Sequence, residues 1–196
     1  MSVHRKESRG FLNGRHCYFV INRGIRSKFV FRAPPDYRFF LRLVRQYKNK
    51  FHLKIFGFCI LPDSAYLIVQ PINTQQLVLY LRLLTQTYTR YFNSKYQNKG
   101  RVWKTRYKLF IIRNDADLFE SIKFLEFMPV RSLNVDNPIA YPWSSCSHRI
   151  QGEDVGILDK RCISPISYPP GSKTTPRFSP EQQIAVQEVG DISFFI

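Results

Sequence analysis

Between His52 and Gln70 the chain reads "HLKIFGFCILPDSAYLIVQ", two apolar runs that meet at Pro62-Asp63. No other stretch constrains the fold as much. Proline presets φ for a turn, and aspartate closes tight turns through its own backbone. The runs His52–Leu61 and Ser64–Gln70 are therefore expected as two strands of a β-hairpin. Side chains alternate along a strand, so Ser64 and Tyr66 share one face and Ala65 takes the other.

The flanking segments supply the rest of the sheet. "HCYFVINRG", His16 to Gly24, is β-rich and stops at glycine. After a basic connection, Asp36 or the proline pair opens a helix with Phe40, Leu43, Val44 and Tyr47 at helical spacing. Asn73 or Thr74 caps a long helix whose positions Leu77, Leu81, Leu84, Tyr88 and Tyr91 keep a three-to-four spacing. "NKG" breaks it. "RYKLFIIR" is a fourth strand, and "NDADLFESIKFLEF" a third helix, capped by Asn114 or Asp115 and stopped at Pro129. The order β-α-β-β-α-β followed by a helix is the split βαβ pattern. The expected class is α+β: a ferredoxin-like or RRM-like antiparallel sheet with helices on one face, plus a C-terminal extension. Three regions follow: a basic arm over 1–15, the folded domain over 16–150, and a Pro/Ser-rich tail over 151–196 whose apolar end "ISFFI" could dock on the body or on a partner.

Charge narrows the function. Lys and Arg total 30 against 14 Asp and Glu, a formal net charge of +16. Such a surplus favours a polyanionic partner, and aromatic residues interleaved with the cations favour nucleic acid. Cys17, Cys59, Cys146 and Cys162 form no CxxC pair, so neither a zinc site nor another cofactor is expected. The charged start lacks the apolar core of a secretory signal, and no apolar run approaches about 18 residues. A cytoplasmic, nucleoid-associated protein without membrane contact is the expectation.

Six segments together resemble a known family: "YFVINRG", "LPD-x-x-Y-LIVQP", "TRYFN", "GRVWKTRYK", "FLEFMPVRSL" and "YPWSS". In order and spacing they are similar to the single-tyrosine HUH transposases, and more closely to the REP-associated tyrosine transposases, from about His16 to Ser145. The resemblance implies nicking and joining of single-stranded DNA beside hairpins. In that family two histidines on a strand hold a divalent cation that polarises the scissile phosphate. A helix-borne tyrosine attacks the phosphate and forms a covalent link, and a polar residue one turn later helps hold the metal. Here Pro62 and Asp63 match the strand motif, but Ser64 and Tyr66 occupy the histidine positions. Pro129, Val130 and Arg131 match the helix motif, but Phe124 occupies the nucleophile position and Met128 the polar one. Hydroxyls are poor ligands beside imidazole or carboxylate, and phenylalanine has no nucleophilic oxygen. The resemblance thus implies a fold without catalytic residues and without a metal. Asp63 is expected as a turn former. Tyr66 and Phe124 are expected to stack across the old site, and His16, His52 and His148 to be isolated.

The gripping residues are better kept than the cutting ones. "NRGIRSKFVFR" carries Arg23, Arg26, Lys28 and Arg32 with no acid. "KYQNKGRVWKTRYK" carries Lys95, Lys99, Arg101, Lys104, Arg106 and Lys108, with Trp103 and Tyr107 among them. Cations meet phosphates and aromatic faces stack on unpaired bases, so these residues and Arg131 are the DNA-binding candidates. Trp103 is read first as a core anchor and second as a stacking contact, and Arg131 has pairing with Glu126 as its alternative. The expected function is recognition of hairpin or single-stranded DNA without cleavage, in regulation or targeting for a mobile element. Two alternatives stand beside it: an active single-strand endonuclease with a rearranged site, and a protein-interaction module that acts through its tail. The family includes monomers and dimers, so a homodimer is compatible.

Overall fold

The computed structural model describes residues 16–104, 107–133, 135–151, 156–159 and 183–184. Strand β1 (Cys17–Arg23) leads through a 3-10 turn (Ile25–Ser27) into α1 (Pro34–Lys50). The hairpin β2 (Lys54–Leu61) and β3 (Ser64–Gln70) follows, then α2 (Thr74–Tyr96), β4 (Lys108–Ile112), α3 (Asp115–Glu126) and the short α4 (Met128–Leu133). A second 3-10 turn (Pro138–Ala140), α5 (Ser145–Gln151) and β5 (Gln183–Ile184) complete the described elements. The strand order is β2-β3-β1-β4-β5 with every pair antiparallel. This is the α+β arrangement expected, with the split βαβ order across its first four strands.

The helix starts show why these segments form. In α1, prolines fill the first two positions, where a missing N–H costs nothing. Asp36 then reaches back to accept the N–H groups of Ala33 at 3.0 Å and Arg32 at 2.9 Å. Asn73 caps α2 by accepting the Gln76 N–H, and Asn114 caps α3 by accepting that of Asp117. Helix α2 ends where Gln97 takes a left-handed conformation, and Gly100 follows at φ +89°.

The sheet is covered on both sides. Tyr18 and Val20 of β1, Leu67 and Val69 of β3, and Leu109 and Ile111 of β4 face α1 and α2. Their alternate neighbours Phe19, Tyr66, Ile68 and Ile112 face Leu118, Ile122 and Leu125 of α3. The expectation of helices on one face thus holds for α1 and α2 and is corrected for α3. A register shift between Ile55 and Gly57 resets the phase of β2, so that Phe58 rejoins the face of Ile55. Pro129 also behaves differently from expectation. The helix already pauses at Phe127, and Pro129 sits in the first turn of α4, where proline is tolerated.

The free edge of β2 is capped by chain from beyond α4. Ile60 donates to the Trp143 carbonyl at 2.9 Å, Phe58 to Ser145 Oγ at 3.3 Å, and Ile55 to Asp159 Oδ2 at 2.8 Å. Trp143 also stacks on Tyr37 at 4.8 Å. Lys48 pairs with Asp159 and donates to the Ile157 carbonyl. The folded body therefore takes in residues 156–159, and β5 adds to the β4 edge; both lie in the segment assigned to a tail beginning at 151. The basic arm over 1–15 and "ISFFI" lie outside the described residues. Among the described residues, Cys17, Cys59 and Cys146 are buried and not joined in a disulfide, and no helix is long and apolar enough to cross a membrane.

Candidate nucleic-acid interface

The four positions that correspond to the family's chemical groups come together on the α3 side of the sheet. Tyr66, 4% exposed, and Met128, 9% exposed, belong to one apolar cluster, and Phe124 packs against it. The ring of Phe19 contacts both Tyr66 at 6.3 Å and Phe124 at 6.1 Å. The two rings expected to stack on each other thus meet through a third. Arg131 lays its guanidinium over Phe124, 5.1 Å from the ring centre. Glu126, fully buried, accepts from Ser145 Oγ at 2.7 Å and from Arg149 Nε at 3.1 Å, so Arg149 takes the role considered for Arg131. Ser64 is buried and donates to Asp63 Oδ1 at 2.7 Å.

This set does not fit the divalent cation for which the family's matching positions are known. One carboxylate is engaged by its neighbouring hydroxyl. The next position offers a buried phenol packed against the Phe19 ring, and the two helix positions offer a ring and a thioether. Hard divalent cations require several oxygen or imidazole donors converging on one point. Among the described residues no three His, Cys, Asp or Glu side chains form such a group.

The basic residues gather elsewhere. Gly24 donates to the Asp63 carbonyl at 2.7 Å, Ile25 to that of Val102 at 2.9 Å, and Lys104 to that of Arg23 at 2.7 Å. Gly24 and Trp103 form an antiparallel bridge. These bonds join two basic segments about 75 residues apart in sequence. They enclose a groove of ≈ 330 Å³ lined by Arg26, Lys28, Arg32, Lys99 and Arg101, with Phe29 and Asn98 also in the wall and no acid among the described lining residues. The walls are stiff. Gly24 cannot carry a side chain, because a Cβ would lie 2.4 Å from the Lys28 carbonyl oxygen. Val30 and Phe31 both donate to the Pro62 carbonyl, and Tyr88 Oη donates to the Val30 carbonyl at 2.7 Å. On the far side, Asn93 bonds the Gly100 carbonyl and accepts from Asn98.

Arg32 stands over two rings, 4.9 Å from Phe92 and 4.7 Å from Tyr96. Its own N–H is bonded to Asp36, which is fully buried and also accepts from Tyr91, Tyr96 and Lys95. Burial alone would raise the Asp36 carboxyl, but bonds from Lys95, Tyr96 and two backbone N–H groups more than reverse that and hold it at about 2. Lys95 is thereby committed to Asp36 and is not one of the groove cations.

The other predicted residues divide. Arg23, Lys104 and Lys108 are exposed but do not line the groove. Arg131 lies on the α3 side. Arg106 lies outside the described residues. Trp103 is corrected as a DNA-binding candidate: at 7% exposure its ring packs on Phe31, Phe40 and Tyr88 at 5.6–6.0 Å and is not available to a base. Tyr107 is half-buried, and burial pushes its hydroxyl up to about 12. The aromatic residue that does stand at the groove is Phe29, 64% exposed, which sequence reasoning missed. The available signal was its place within the acid-free run "IRSKFVFR".

Residues 15–123 match the family model described as IS200-like transposases, more than half of the chain. The match ends one residue before Phe124. A Haemophilus influenzae protein assigned as a REP-associated tyrosine transposase is 29% identical over 106 residues, covering 48% of this chain. The chain spans 60% of that relative's length. The solved structure of a REP-associated tyrosine transposase bound to a REP hairpin aligns with 89% of this chain and 99% of its own at a TM-score of 0.59 and 16% identity, a likeness of fold. Strands β1 to β4, the Pro62-Asp63 turn before β3 and the run through the basic groove all fall within residues 15–123, and on the ground of that match the chain belongs to the IS200-like transposase family.

Proposed function

We propose that this protein binds hairpin or single-stranded DNA through the basic groove and does not cleave it. The observation that carries the reading is a division within one fold. The positions of the strand and helix motifs are filled by Ser64, Tyr66, Phe124 and Met128 and packed shut, while the groove of five cations is open. Arg26, Lys28, Arg32 and Lys99 place like charges in one concavity beside Arg101, and a nucleic-acid backbone supplies a run of anions at suitable spacing. The hairpin-bound relative supports DNA of that form as the partner. A regulatory or targeting role for a mobile element, inside the cell and apart from any membrane, follows from recognition without cutting.

The test has two arms. Labelled hairpins with single-stranded flanks, plain single strands and blunt duplex are titrated by anisotropy at several salt concentrations. If most of the five cations contact phosphate, log Kd changes with log salt with a slope of about 2–3.5, at about 0.7 per contact on single strands. The double reversal Lys99→Glu and Lys28→Glu lowers that slope by about 1.4. In parallel, the protein is incubated with the hairpins in Mg²⁺ or Mn²⁺ and run on a denaturing gel. Salt-independent, unselective binding refutes the groove, and a denaturation-resistant protein–DNA adduct or specific nicking refutes the loss of cleavage.

A further inference from the structure

Phe29 is a large apolar side chain held 64% exposed in the wall of a groove that also carries Arg26, Lys28, Arg32, Lys99 and Arg101. Its position is not slack. Val30 and Phe31, the next two residues, are buried and bonded to the Pro62 carbonyl. On the other side Lys28 donates to the Ile25 carbonyl at 3.1 Å, and Arg26 is held in the left-handed region at φ 52°. The loop thus presents Phe29 while its neighbours are fixed, so little conformational entropy is lost when something covers the ring.

We propose that Phe29 is a stacking platform for one unpaired base of the bound strand, the base next to the hairpin stem, while the groove cations hold the phosphates on either side. The inference rests on the DNA-binding reading above and deepens it by naming what sets the preference for single-stranded flank over duplex. Charge decides the occupant: an exposed ring among Arg26, Lys28, Arg32, Lys99 and Arg101 suits a ligand that alternates flat apolar faces with anions, which is single-stranded nucleic acid. Paired bases present only their edges, so a duplex cannot cover the ring.

The experiment uses the full chain and hairpins carrying 2-aminopurine at each flank position in turn. Wild type is expected to change the fluorescence at one flank position. Phe29→Ala is expected to abolish that change and weaken flanked-hairpin binding roughly tenfold or more, with blunt-duplex affinity unaltered; Phe29→Trp restores both. An exposed ring contributes little to the core, and an unchanged melting temperature confirms that the variants fold. If Phe29→Ala binds the flanked hairpin like wild type, with the same fluorescence change, while Lys28→Glu and Lys99→Glu together abolish binding, the stacking role is overturned and the groove stands. If wild type binds none of the DNAs, or binds a poly-glutamate peptide in their place, the DNA-binding reading falls and this inference with it.

Discussion

Replacing Asp36 by asparagine tests the clamp behind the groove. Oδ2 accepts from Arg32 N, Ala33 N and Tyr96 Oη, and Oδ1 from Tyr91 Oη and Lys95 Nζ. Asparagine keeps the shape but turns one acceptor into a donor pair. If its oxygen faces the backbone N–H groups, its NH₂ faces the Lys95 ammonium; the reverse placement leaves two backbone donors of the α1 start unpaired. Breaking a buried pair from one side costs about 3–5 kcal/mol, and rotation of the tyrosine hydroxyls recovers some of that. We expect a loss of about 3 kcal/mol, or roughly 6–12 °C in melting temperature for a body of this size, read from urea unfolding at pH 7.

The same carboxylate fixes a pH signature. A carboxyl held at about 2 in place of the usual 3.8 contributes about 2.4 kcal/mol of folding free energy at neutral pH. Because the folded value is the lower one, the contribution is complete above the unfolded value and is lost as pH falls from there toward 2. Nearly half, about 1 kcal/mol, is gone by pH 3. The stability gap between wild type and Asp36→Asn should narrow by that amount between pH 7 and pH 3. A gap under about 1 kcal/mol at pH 7, or one of equal size at both pH values, would refute the account of Asp36 as an ionised anchor.

Two further substitutions probe the elements on either side of the sheet. Gly24→Ala forces a Cβ to within 2.4 Å of the Lys28 carbonyl oxygen and 3.2 Å of that of Asp63; it should cost about 1–3 kcal/mol in denaturant unfolding and weaken DNA binding beyond the loss of fold, seen by anisotropy at a temperature where the variant is folded. Glu126→Gln removes the buried carboxylate that Ser145 and the partly exposed Arg149 bond and should cost about 1–3 kcal/mol, with the groove's salt dependence unaltered because the pair lies on the opposite face.

The strands and helices were legible because their signals are local. Pro62-Asp63, Gly24, Asn73 and Asn114 each mark a boundary through their own backbone chemistry. The side on which α3 packs was not legible. The two faces of β1 and β3 are equally apolar, with Tyr18, Leu67 and Val69 against Phe19, Tyr66 and Ile68, so hydrophobic periodicity shows a buried strand without saying what covers each face. Trp103 was misplaced among the DNA-binding candidates for a related reason. Its neighbours Arg101 and Lys104 are exposed, but a single bridge to Gly24 turns its ring inward onto Phe31 and Tyr88. Asp159 was beyond reach altogether, because its bond to Ile55 spans 104 residues of sequence, and no short-range pattern records such a pairing.

The Pro62-Asp63 turn joins the basic groove to the closed α3 side of the sheet. The Pro62 carbonyl holds Val30 and Phe31, and the Asp63 carbonyl holds Gly24, so both ends of the groove loop hang on these two residues. Ser64 and Tyr66 follow directly on β3 and face the closed α3 side. The two strand-motif positions that match the family therefore carry the loop that lines the groove. The two that depart from it are those at which the resemblance places the family's imidazoles. A change of side chain at 64 or 66 leaves the backbone bonds at Pro62 and Asp63 untouched, because a carbonyl oxygen accepts whatever the next side chain is. On the proposed reading, binding and cleavage are separable within this hairpin: side chains at 64 and 66 can change without moving Phe29 or the five cations, whereas a change that tilts the Pro62-Asp63 turn disturbs both ends of the loop together.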